Sequence, residues 1–100
     1  MKLKKIEKSL LFEDLKNPKF AAGYLEQMLQ EDDLDSFLIA INNVAKANGG
    51  IAKIAKNTKL GRESLYKALS ENGNPYFKNI HKILKNMGFK ISISVSKKVA

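Results

Sequence analysis

Ile51-Ala52-Lys53-Ile54-Ala55-Lys56-Asn57-Thr58-Lys59-Leu60-Gly61-Arg62-Glu63-Ser64-Leu65-Tyr66-Lys67-Ala68-Leu69-Ser70 is the stretch on which the fold turns. Ile51 to about Asn57 has the spacing of a short helix with Ile54 and Ala55 inward. Thr58-Lys59-Leu60-Gly61 is a turn, and Arg62 to Leu69 is a second helix with Leu65, Ala68 and Leu69 inward. Two short helices on such a turn, the second rich in polar and basic side chains, make the pattern of a helix-turn-helix over about residues 51–70. Ala55 is small enough to let the two helices approach, Leu60 fills the turn, and Leu65 and Leu69 seat the second helix on a core.

Such a motif implies double-stranded DNA as the ligand. The outward face of the second helix holds Arg62, Glu63, Tyr66 and Lys67, which are expected at base edges in the major groove. Arg62 suits guanine and Glu63 the cytosine amino group. Tyr66 and Lys67 reach phosphate or, for Tyr66, the thymine methyl. Lys53, Lys56, Lys59, Lys78 and Lys82 are expected to grip the flanking phosphates. Gly61 joins them, because it starts a helix whose first backbone N–H groups face outward. The alternative is a plain helical hairpin with a solvated charged face.

Upstream, Asn17-Pro18 reads as an N-cap followed by proline at the first helical position. Phe20, Ala21, Tyr24, Leu25, Met28 and Leu29 then recur at helical spacing. Asp32 and Asp33 stop that helix and cap the next, which is expected to bury Leu34, Phe37, Leu38, Ile41 and Val44. Asn48-Gly49-Gly50 ends it, since glycine takes the left-handed C-cap conformation. Downstream, Asn72-Gly73-Asn74-Pro75 is a turn cluster. A last helix runs from Tyr76 or Phe77 to Met87, with Ile80, Ile83, Leu84 and Met87 on one stripe and Gly88 as its stop. Residues 1–16 are a lysine-rich lead with Ile6, Leu10, Leu11 and Leu15 as anchors, read as loose or as ordering against a partner. The rest, 17–100, is one domain.

Beyond Gly88 the period changes from 3.6 to 2. Phe89, Ile91, Ile93 and Val95 alternate with Lys90, Ser92, Ser94 and Ser96, which predicts a half-buried strand over about 89–95. One strand cannot satisfy its own backbone groups, and no second one is visible. Pairing with the same strand of another copy is the expectation, with these four apolar residues as the homodimer contact. The alternative is an edge-docked or frayed tail.

Charge sharpens the reading. The net charge is +8 over 100 residues. Residues 1–50 hold 7 Lys against 8 acidic residues, whereas residues 51–100 hold 10 Lys and Arg62 against Glu63 and Glu71. A half-chain at +9 implies a polyanion partner or an anionic membrane. Cysteine is absent, which excludes disulfides and thiolate metal sites and fits a reducing compartment. No apolar run approaches the roughly 20 residues needed to span a bilayer. The basic start lacks the apolar core of a secretory signal, so a cytoplasmic location is expected.

Catalytic chemistry finds no support, and an enzyme is not expected. His81 is the one histidine, with no other His or Cys to complete a metal site. Ser64 and Ser70 lack a base at readable spacing. Gly49-Gly50 is a helix stop rather than a phosphate loop. No cofactor is expected.

The stretch Asn17-Pro18-Lys19-Phe20-Ala21-Ala22-Gly23-Tyr24-Leu25 resembles the opening of HigA-like addiction-module antidote proteins. So do Gly49-Gly50-Ile51-Ala52-Lys53-Ile54-Ala55, Arg62-Glu63-Ser64-Leu65-Tyr66-Lys67-Ala68-Leu69-Ser70 and Gly73-Asn74-Pro75. The resemblance covers about residues 12–95 and is most specific from Arg62 through Pro75. It implies an all-α, five-helix domain similar to Cro and repressor domains, with the C-terminal strand added. It further implies an antitoxin that binds operator DNA as a dimer, represses its own operon and neutralises a RelE-like ribonuclease toxin. A phage-type Cro/repressor without a toxin partner is the runner-up. Lys59 stands where such turns often have glycine, so a positive φ is expected there. Gly61 stands where a serine cap is common, and caps less strongly. For the toxin contact, the lead and the acidic run Glu31-Asp32-Asp33-Asp35 are candidates, beside a plain solvated helix junction.

Overall fold

The structure, a computed structural model, describes residues 12–31 and 33–97. It is all-α among those residues: a 3-10 turn (Asp14–Lys16) and five helices, α1 (Pro18–Gln30), α2 (Leu34–Ala47), α3 (Ile51–Thr58), α4 (Arg62–Ala68) and α5 (Phe77–Asn86). Each boundary has a local cause. The Asn17 side chain accepts from the N–H groups of Lys19 and Phe20, and Pro18 has no N–H to leave unsatisfied. Asp33 caps α2 through the N–H of Ser36, and its carboxylate also accepts from the Ser36 hydroxyl at 2.8 Å. Those two hydrogen bonds hold the Asp33 carboxyl below its ordinary value of 3.8.

Two helices end in the same way. Gly49, at φ 110°, lets the Gly50 N–H reach back to the Ala45 carbonyl at 2.7 Å. Gly88, at φ 94°, does the same for the Phe89 N–H and the Leu84 carbonyl at 2.9 Å. Both closures consume carbonyls that a helix end otherwise leaves free.

The α1–α2 pair is packed together with the 3-10 turn, and α3 contacts α2, α4 and α5. One apolar core runs through all of it, from Leu15, Leu25 and Met28 through Ile41 and Val44 to Ile54, Leu65, Leu69, Ile83 and Leu84. Tyr24, Phe37, Ala55, Leu60, Met87 and Phe89 pack partly buried on its edge.

One expectation needs correction, the anchor reading of Leu15 holds, and the C-terminal strand is not confirmed. Leu15 is an anchor of the lead: it is 1% exposed, and Asn48 Nδ2 donates to its carbonyl at 3.0 Å and to that of Val44 at 2.8 Å. Ile6, Leu10 and Leu11 lie outside the described residues. Phe20, Leu29 and Leu34, placed inward by periodicity, are 42%, 49% and 62% exposed. They sit at helix ends, where the helical stripe runs past the neighbouring element. The strand over 89–95 is not formed in the single chain: residues 89–96 carry no strand, Phe89 packs on the core, and Ile91, Ile93 and Val95 are exposed. A ladder needs a second strand, and none exists among the described residues.

Candidate nucleic-acid interface

The α3–α4 hairpin is fixed by a small set of contacts. Ile51 and Ile54 are buried on one side of α3, and Leu65 and Leu69 at the base of α4. Between them Thr58 is buried, and its hydroxyl donates to the Ile54 carbonyl at 2.7 Å while accepting from the Leu60 N–H at 3.3 Å. A threonine hydroxyl bonded back to the carbonyl four residues earlier competes with the helix ladder. Lys59 follows at φ 63°, the one non-glycine residue with positive φ among those described. The strain anticipated at this lysine is present, and its N–H closes α3 onto the Ala55 carbonyl at 2.9 Å. Gly61 then extends the chain at φ −63°, ψ 139°, with no side-chain cap for α4.

The far end of α4 is held by Gly73. A side-chain carbon there would collide with the Ala68 carbonyl oxygen and lie 2.9 Å from that of Lys67. Only glycine lets the loop after α4 lie so close.

Fastened at both ends, α4 turns Arg62, Glu63, Tyr66 and Lys67 to solvent, and all four are exposed. Arg62 and Tyr66 meet one turn apart, the guanidinium carbon 5.9 Å from the ring centroid, within cation–π range. Lys53 and Lys56 are exposed on α3, and Lys59 and Gly61 are exposed in the turn. Lys78 and Lys82 are exposed one turn apart on α5, which packs against α3. The predicted basic residues thus fall on α3, α4, α5 and the turn between α3 and α4, and the residues expected at base edges fall on one helix. Sequence reasoning did not single out Thr58 or the Asn43–Tyr24 hydrogen bond, 3.1 Å long, that ties α2 to α1. The signal for Thr58 was local, a hydroxyl two residues before Leu60 at a helix end.

Charged residues on this surface are lysines, one arginine and Glu63, and the basic ones offer ion pairing and hydrogen-bond donation. His81 is exposed on α5. Among the described residues, no three His, Asp or Glu side chains converge as a metal group, and no helix is long and apolar enough to cross a membrane.

Residues 5–95 match the family model described as probable addiction module antidote protein. A Haemophilus influenzae protein, described only as uncharacterized, is 36% identical over 74 residues, covering 74% of this chain and 75% of that protein. No solved structure matches the chain. On a match across nearly its whole length, the chain belongs to the probable addiction module antidote proteins, a family whose members imply a toxin partner.

Proposed function

We propose that the chain is a HigA-like antitoxin that binds operator DNA as a dimer in the cytoplasm, represses its own operon and neutralises a RelE-like ribonuclease toxin. In this reading α3, the Thr58–Gly61 turn and α4 are a helix-turn-helix of the Cro/repressor type. The observation that carries it is the α4 face: Arg62, Glu63, Tyr66 and Lys67 stand exposed on a helix whose opposite side is anchored by buried Leu65 and Leu69. A side chain reads base edges only when its helix is held rigidly, and this one is fastened at Thr58 and Gly73.

Arg62 and Glu63 read bases at the helix start, and Tyr66 supports or extends that contact. Lys53, Lys56, Lys59, Lys78 and Lys82, with the Gly61 backbone, hold phosphates and set the register. The dimer forms through residues 89–95. Exposed Ile93 and Val95, alternating with serines, gain a partner there, and the backbone beyond Phe89 gains a ladder. Two recognition helices then meet half-sites about 34 Å apart.

Arg62→Ala tests the role of α4. Titrated by fluorescence anisotropy, it should lose about 1–3 kcal/mol on the operator and much less on random duplex. Equal losses on both would make Arg62 a phosphate contact and remove it from base reading.

A further inference from the structure

Between Lys19 and Lys46 the sequence holds five acidic residues, Glu26, Glu31, Asp32, Asp33 and Asp35, and no basic one. Glu26, Glu31, Asp33 and Asp35 are exposed around the turn that joins α1 to α2. Leu29 and Leu34 are exposed at the same corner, at 49% and 62%.

Helix stability explains only part of this. Asp33 caps α2, and Asp35 in its first turn complements the helix dipole. Glu31 is different. It sits at the C-cap of α1, where the dipole disfavours a carboxylate, and the last turn of that helix holds no basic residue to offset it. The leucines are unexplained by the monomer as well, since full burial of such a side chain is worth about 1.5–3 kcal/mol. Five residues separate Leu29 from Leu34, so chain length alone keeps them within about 18 Å. Both therefore fit inside the roughly 800 Å² that one partner contributes to an ordinary interface.

We propose that this acidic, leucine-bearing corner is the docking surface for the toxin, and that the toxin meets it with a basic surface and an apolar recess for Leu29 and Leu34. The proposal rests on the antitoxin reading. An antidote must cover its toxin, and a toxin that cleaves RNA carries positive charge to hold that polyanion. The basic half of this chain repels such a partner, while the α1–α2 corner attracts it and steers its approach. DNA contacts fall on α3, α4 and α5, and the corner on α1 and α2. Operator and toxin are therefore met by different helices of the molecule.

The test uses the full chain and the purified product of the adjacent reading frame, titrated by calorimetry and by surface-bound kinetics. Leu29→Ser/Leu34→Ser removes the apolar contact, and Glu26→Lys/Glu31→Lys reverses the charge without touching the Asp33 cap. Both pairs alter exposed side chains, and thermal melting checks that each variant is folded. The leucine pair should weaken toxin binding about tenfold or more, while operator affinity stays within about twofold. The charge pair should slow association and flatten its salt dependence. Unchanged toxin affinity in both variants would overturn the proposal. So would loss of self-association with toxin affinity intact, which would assign the corner to a second copy. No binding by the wild-type chain would overturn the antitoxin reading, and the docking surface with it.

Discussion

Two residues carry backbone demands that their side chains do not advertise. Lys59 occupies the left-handed region at φ 63°. That conformation costs a side-chain-bearing residue roughly 1–2 kcal/mol, of which glycine would return about 0.4–1 kcal/mol through a freer unfolded chain. Lys59→Gly should therefore raise stability by about 0.5–1 kcal/mol in a denaturant melt. It should also weaken DNA binding similarly on every sequence, by removing one phosphate contact. A lower midpoint would mean that the lysine side chain contributes packing. Gly73 is the opposite case. Because a side-chain carbon there would collide with the Ala68 carbonyl, Gly73→Ala should cost about 1–3 kcal/mol. An unchanged melting temperature would show that the loop can move away from α4. Turn chemistry made Gly73 visible in the sequence, inside Asn72-Gly73-Asn74-Pro75. The reason it must be glycine lay five residues back, in the path of α4.

At the scale of elements, helix boundaries were legible because their causes are local. Asn17-Pro18, Asp33, Gly49-Gly50 and Gly88 each stop or start a helix where they were expected to. The inward face was legible in helix middles and failed at the ends. Periodicity fixes the angle of a side chain about its helix, not whether another element lies opposite. Leu29 and Leu34 illustrate this, and Leu15 shows the converse, since it is buried in a core built by elements far along the chain, and its carbonyl accepts from Asn48.

The cap of α2 has a pH signature. Folding lowers the Asp33 pKa below 3.8, so the cap's stabilisation is fully present above that value. It is lost as pH falls through the lowered folded-state value. Asp33→Asn keeps a capping oxygen without the charge, so its stability relative to wild type should improve below about pH 4. A constant difference between the two across that range would mean that the Asp33 charge contributes nothing to the cap.

The C-terminal segment forms no strand in the single chain. Ile93→Lys puts a charge in the alternating apolar row and should shift sedimentation from dimer to monomer without lowering the helix content. A dimer that survives would place the interface elsewhere.

At the scale of the whole molecule, charge separation organises the account. The half of the chain from Ile51 onward carries a net +9, and the segment from Phe20 to Ala45 carries only acidic charges. Both facts stand in the sequence. What it withheld was their placement: α3 packed against α4 and α5 gathers the basic residues, and the acidic ones stand exposed around the α1–α2 turn. Family membership supplies the antidote role, and the α4 face supplies the case for DNA.

That case is tested most directly by fluorescence anisotropy of the purified chain on its own upstream promoter duplex and on a scrambled duplex, across a salt series. The account predicts promoter binding at least about 10³-fold tighter than scrambled, with affinity falling steeply as salt rises. Equal and weak binding to both duplexes would contradict it, leaving α3 and α4 as scaffold for the antidote rather than a reader of DNA.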